Sequence, residues 1–445
     1  MVGERPTSGA PRAYRFPAVV RRRVAGGEVL AAHLPGQALA VARLLLDAGA
    51  EREPAGREGV AAVLADALEE GTADRDSAAF AVALERLGGT LTTLVDWDSL
   101  QVGTRVPVER LPAAVGLVAE AVRTPRLDPD DVSRVRDDEA TARRMQWASP
   151  GPRADAALRA ELFGGQRYGR PMNGDPTSVT TVTVEDVAAF HAEHLRRPGV
   201  LLVAADLDRV DVDALGGAAF GGAVGARDAV AGPLPVRRAE VRRILVVDRP
   251  GSVQSTLRLG HPAPHRAHPD YVRMLLAGTV LGGAFTSRLN HLLREVRGYS
   301  YGIRADFAHS RRSGRLGVRC AVQTSVTAPA LVDAVNEITR TQAGGITEEE
   351  LAVARSFRAG QLSVDMQTPG AIAGALATIV VHGLPDDYPA VLRGDLLAAS
   401  VAEVSAAAAA HLHPGGLTLV VEGDATAIRD DLAATGLGEV LDAEV

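Results

Sequence analysis

Chemistry is most strongly suggested by the run from Leu281 to Gly302, LGGAFTSRLNHLLREVRGYSYG. Its adjacent glycines, Gly282 and Gly283, allow backbone to approach another backbone or a ligand closely. The helical spacing that follows delivers Arg297 and Tyr301 around a turn at Gly298. An arginine and a tyrosine so placed can both donate hydrogen bonds to one carbonyl oxygen and stabilise the charge that develops there during acyl transfer. Equally, the arginine can lie on the surface while the tyrosine packs on a sheet, and residue types alone leave both readings open.

Three further groupings have residue types that could carry chemistry. Gly298-Tyr299-Ser300-Tyr301-Gly302 fits the G-x-S-x-G nucleophile elbow, with His382, His411 and several aspartates downstream. An elbow needs a strand before the serine and a helix after it, whereas here Ser287 to Val296 has helical spacing and Tyr301 to Phe307 alternates as a strand. His191-Ala-Glu193-His194 puts two imidazoles on one helical face, a spacing that suits a metal but also fits boundary histidines. His261, His265 and His268 fall in the Pro-rich HPAPHRAHPD, read as a solvated loop. The single cysteine, Cys320, excludes an internal disulfide and a cysteine-based zinc site. All 48 basic residues are arginine, which excludes Schiff-base chemistry and a Walker-type phosphate loop.

The elements that must position these residues come in two sets. Leu127 to Val132 with Arg136 matches Ile346 to Leu351 with Arg355 at an offset of 219, and Val187 to Leu195 matches Val404 to Leu412 at 217. Pro112 to Arg123 matches Pro329 to Arg340, again at 217. Such order and spacing predict a tandem duplication: residues 1–221, a linker over 222–240, and residues 241–445. The seam is expected within the aperiodic Gly/Ala/Pro-rich Gly216 to Pro235. In the first half, Ala38 to Asp47 reads as a strand, Gly59 to Leu68 as an amphipathic helix and Thr90 to Val106 as a hairpin. Leu127-Asp-Pro-Asp-Asp opens a further helix with acidic residues in its first turn. Each half is therefore expected to be α+β, an antiparallel-rich sheet packed with helices.

The Leu281 to Gly302 run closely resembles the C-terminal half of the pitrilysin/insulinase-like zinc peptidases, the group that includes the mitochondrial processing peptidase. The resemblance extends over Gly56 to Thr72, over Tyr168-Gly-Arg-Pro with Gly174, and over His382 to Tyr388. It implies that Arg297 and Tyr301 contact substrate backbone near the scissile bond, and that Gly282, Gly283 and Phe285 belong to the substrate-binding face. Active members carry an inverted zinc motif, H-x-x-E-H, on the first helix. Aligned on Gly59, Leu68, Gly71 and Thr72, the ligand positions here are Ala62 and Asp66, and the general-base position is Ala65. The third ligand of the family falls near Thr141 to Arg143, with Asp137, Asp138 and Glu139 close by. Two methyl groups and a carboxylate cannot replace two imidazoles and a base, so no metal is expected on this chain.

The resemblance thus implies a zinc-less subunit of a heterodimeric peptidase. The expected partner is a homologous subunit that carries H-x-x-E-H and the zinc. The expected ligand is an extended peptide, bound by strand addition and by Arg297 and Tyr301 in a clamshell whose halves move about the glycine-rich linker. The alternatives are an inert binding or structural protein of the same fold and, more remotely, an independent hydrolase.

The 445 residues are 46% hydrophobic with a net charge of −7 and a pI near 5.9, which suffices for two to four cores. The one basic run, Arg21-Arg22-Arg23, is too short for a nucleic-acid binder. No apolar stretch reaches the roughly 20 residues a bilayer span requires. With the polar Met1 to Pro17, this predicts a soluble cytoplasmic protein.

Overall fold

The computed structural model describes residues 14–226 and 231–444. The first half builds one sheet from β1 (Val19–Val24), β2 (Gly27–His33), β3 (Leu39–Leu46), β4 (Thr92–Val95), β5 (Leu100–Pro107) and β6 (Val200–Ala205), in the order β1-β2-β6-β3-β5-β4. The second half builds another from β7 (Arg243–Asp248), β8 (Gln254–Ala263), β9 (Ile303–His309), β10 (Gly314–Gln323), β11 (Thr418–Gly423) and β12 (Glu439–Asp442), in the order β9-β10-β8-β11-β7-β12.

Read from opposite ends, the two orders coincide at five places, with β2, β6, β3, β5 and β4 answering to β7, β11, β8, β10 and β9. The pairing senses coincide too: the first of these contacts is parallel and the other three are antiparallel in both halves. The halves differ at the sixth strand, where β1 joins β2 as an antiparallel hairpin and β12 joins β7 in parallel. Two α+β units in tandem are therefore present, as the internal repeats require.

One face of each sheet carries that half's own helices. Ala42, Leu44, Val102 and Val203 pack under the helices Val60–Ala67 and Leu111–Arg123, and Leu257, Leu259, Val318 and Leu419 pack under Tyr271–Gly278 and Thr327–Gln342. The other face is covered by the opposite half. The helix Pro369–His382 buries Ile372, Leu376 and Ile379 against Leu30, Val41, Leu45 and Leu202, while its repeat counterpart Pro152–Phe163 buries Ala154, Ala157 and Leu158 against Leu245, Val247 and Val420. Burial on both faces explains why β6, VLLVAA, is an unbroken apolar run instead of an alternating one.

Polar contacts pin this exchange. Glu422, buried on β11, accepts from the Gly151 amide at the start of the helix Pro152–Phe163 (2.8 Å) and from Arg249 (2.9 Å). Arg311 from the second half donates to Asp47 (2.8 Å), and its amide donates to Asp98 (2.7 Å), which also accepts from Tyr168. Removing one member of such a buried network strands the others, at a cost of about 3–5 kcal/mol. Rotation of one half about the other, the motion expected of a glycine-rich linker, is opposed by all of these contacts.

Two local expectations need correction, and one hairpin goes beyond what was expected. Residues 216–220 of the stretch read as aperiodic belong to the helix Val212–Phe220, whose Leu215, Ala219 and Phe220 are buried in the core of the first half. Its glycines weaken the apolar period but still permit close approach to Val24 and Val29. His261 lies within β8, fully buried, and is not in a solvated loop. The hairpin β1–β2 falls in a segment given no element, because its Arg-rich outer strand has no apolar alternation. Part of the linker and the first 13 residues lie outside the described residues. No single helix among the described residues is long and apolar enough to cross a membrane.

Candidate functional site

The helix Val60–Ala67, which carries the degenerate motif, is fixed at its start. The Glu53 carboxylate accepts from the amides of Gly59 (3.1 Å) and Ala61 (3.0 Å) and is held by a buried ion pair to Arg167. Gly59 has φ +103°, a left-handed conformation open to glycine, and a Cβ there would sit 2.7 Å from Val179. On the helix so placed, Ala62 and Ala65 present buried methyl groups. Asp66 opens to solvent on one side and hydrogen-bonds Glu139 on the other. Burial of its inner side, reinforced by the Glu139 and Glu69 carboxylates, pushes its carboxyl up to about 7. Glu139 in turn is bound by Arg143 at 3.0 Å, one helical turn on.

This cluster does not fit zinc. Two of the three motif positions offer no donor atom, and the third shares a proton with a carboxylate already neutralised by a guanidinium, whose charge repels a dication. In the sequence, Glu139 is only a neighbour of the third-ligand segment. The structure makes it the residue that reaches Asp66, whereas Asp137 and Asp138 point outward. The Glu139/Arg143 spacing of four was the signal available.

In the second half, Gly282 serves backbone packing: a Cβ there would stand 2.6 Å from the Ala305 amide nitrogen on β9. A Cβ at Gly283 would meet the far end of Arg358 at 3.0 Å and the Gly278 carbonyl oxygen at 3.3 Å. Phe285 is 71% exposed beneath the Arg294 guanidinium, 3.7 Å from its ring centre. The helix Arg288–Asn290 widens to a π-turn over His291–Val296 and ends at Arg297, after which Gly298 turns with φ +66°. Arg297 donates through Nε and Nη2 to Asp333 (2.8 and 3.3 Å), and Tyr301 is 99% exposed. Thus the structure puts both residues on one surface turn but does not aim them at a common point: Arg297 is turned to Asp333 and Tyr301 to solvent.

Asn290, which sequence reasoning missed, anchors this turn. Buried, it donates to the carbonyls of Ala284 (3.2 Å) and Ile303 (2.8 Å) and accepts from the Ile303 amide (3.1 Å). It thereby ties the glycine pair to the strand after Tyr301. An asparagine inside a helix carries no sequence signal for such a role, since its partners are backbone groups. Ser300 is also structural: its Oγ donates to the Gly302 carbonyl (2.8 Å) and accepts the Gly302 amide (3.2 Å), with helix before it and β9 after it.

The histidines separate as their surroundings dictate. His191 bonds the Val122 carbonyl at 2.8 Å while His194 packs on Phe190, so the two do not converge. Burial pushes His261 down to about 3, and its Nε2 accepts the His413 amide. His268, Asp270 and His411 bring donor atoms within 4.8 Å of one another, and Asp270 is already bonded to His411 at 2.8 Å. His33, Asp206 and Asp208 group similarly.

Close to the helix Val60–Ala67 runs β4, a four-residue edge strand that pairs only with β5. Its outer edge is thus open to a further strand.

The comparisons with known proteins find the same organisation in two successive parts. Residues 28–175 match the profile of the insulinase family (peptidase family M16), and residues 181–357 match that of the peptidase M16 inactive domain. The chain belongs to this family, as a member without the zinc ligands. It is 28% identical over 354 residues to an uncharacterized zinc protease of Mycobacterium leprae, covering 78% of this chain and 79% of that one. A similarly described protein of Streptomyces coelicolor is 24% identical over 361 residues, covering 80% and 78%. A crystal structure of a peptidase M16 inactive domain from Pseudomonas fluorescens superposes with a TM-score of 0.84 at 26% identity, covering 91% of this chain and 98% of that one. A protease from Helicobacter pylori shares the fold at a TM-score of 0.79 and 19% identity, covering 92% and 100%.

Proposed function

We propose that this chain is the zinc-less subunit of a heterodimeric, cytoplasmic metallopeptidase. It binds extended peptide and completes an active site whose zinc, ligands and general base belong to a homologous partner carrying H-x-x-E-H. The observation that carries the reading is Tyr301: a large aromatic ring held wholly in solvent, on a turn that Asn290 and Ser300 make rigid. A side chain so fixed and so exposed is poised for a group outside the chain.

Arg297 supports the same reading. With Nε and Nη2 on Asp333, its guanidinium is oriented and still offers Nη1 hydrogens to a carbonyl oxygen. The open edge of β4 supplies the backbone hydrogen bonds for an added strand. What this chain contributes is positioning and hydrogen-bond donation, because Ala62, Ala65 and Asp66 supply neither Lewis acid nor base.

The test is purification of the tagged chain from its own cells. A family member with an intact motif is expected to accompany it, and peptide cleavage is expected from the pair but not from this chain alone. Cleavage by the isolated chain, or a preparation holding no such relative, contradicts the reading.

A further inference from the structure

On the face of the first sheet covered by the helix Pro369–His382 lies a cavity of about 570 Å³, at the edge where β4 begins. It is lined by Arg43, Glu85 and Arg105 among other residues. Arg43 on β3 is about half-buried, and its one hydrogen bond among the described residues is a long one, 3.4 Å, to the neutral Gln101. Arg105 on β5 forms no ion pair among the described residues, although Glu85 lines the same cavity. Two guanidiniums therefore face one carboxylate that neutralises neither, which leaves the space net positive.

One further feature points to an anion. The 14-residue helix Pro369–His382 also starts here: Pro369 has no N–H and Thr368 caps the Ala371 amide. The Gly370 amide consequently remains free at the positive end of the helix dipole, on the cavity wall beside Arg43.

We propose that this cavity binds a carboxylate of an extended peptide running along the open edge of β4, either its C-terminal carboxylate or an acidic side chain. Planar guanidiniums and a helix amide match the bidentate geometry of that group. The site deepens the strand-addition part of the proposed function, on which it rests, by naming a basic anchor in an otherwise acidic protein.

The test is fluorescence anisotropy on the full chain alone, with fluorescein-labelled Gly-Thr-Ala-Thr-Ala-Leu as free acid, as C-terminal amide, and as the amide with Asp in place of the second alanine. The acid is expected to bind about tenfold more tightly than the plain amide. Arg43→Met with Arg105→Met is expected to erase the difference. If the Asp-bearing amide binds like the acid, the anchor is a side chain; if it binds like the plain amide, the anchor is the chain end. Equal binding of acid and plain amide, no binding of any peptide, or a preference that survives the double variant overturns the proposal. Neither zinc nor partner enters this measurement and Arg297→Ala should leave it unchanged, so its failure is distinct from failure of the split-site reading.

Discussion

At the scale of single residues, the former metal position has become a proton-sharing cluster. Asp66 releases its proton near 3.8 in an unfolded chain and near 7 in the folded one. Between those values the folded protein holds a proton that the unfolded chain has lost, so Asp66 makes stability fall as pH rises from about 4 to 7, and the loss is complete above 7. Asp66→Asn keeps a donor for Glu139 and removes the titration. Its gain in melting temperature is therefore expected to be larger at pH 8 than at pH 5, and an equal change at both would show that Asp66 does not share its proton. The absence of zinc ligands was readable in the sequence, since Ala62 and Ala65 cannot bind metal in any fold. The replacement network was not, because a bond between Asp66 and Glu139 depends on how two helices cross.

At the scale of elements, the glycine pair separates packing from binding. Gly282 lies where a methyl group meets the β9 backbone at 2.6 Å, which cannot retreat, whereas at Gly283 the Arg358 tip can swing away and the nearest backbone atom, the Gly278 carbonyl oxygen, stands further off at 3.3 Å. Gly282→Ala is expected to cost about 1–3 kcal/mol in urea denaturation, and Gly283→Ala about 0.5 kcal/mol or less. Similar losses at both would mean that the Gly283 wall is as rigid as β9. The sequence left open whether this pair admits backbone or ligand, and the register of β9 decides for backbone at Gly282. Strongly periodic elements were legible: the helix at Gly59–Leu68 and the β4–β5 hairpin were placed within about two residues of their observed bounds. The β1–β2 hairpin and the burial of His261 were not, since an arginine-rich edge strand and a proline-flanked histidine look like surface.

At the scale of the whole molecule, the repeat offset revealed the duplication but not the exchange of helices. The apolar stripes of Pro152–Phe163 and Pro369–His382 fit either sheet as far as periodicity shows. Only the unbroken apolar run of β6 hinted that both faces of its sheet were covered. The exchange makes one chain a single clasped unit. The two exposed assets, the Tyr301 turn and the open edge of β4, are thereby left to meet something outside it. The most direct measurement of that claim is the rate of peptide cleavage by the complex of this chain with its zinc-bearing partner, comparing wild type with Arg297→Ala and Tyr301→Phe. Each substitution is predicted to lower kcat by about 10²- to 10³-fold, the usual worth of a preorganised donor, with the complex intact. Unchanged cleavage in both variants would contradict the account.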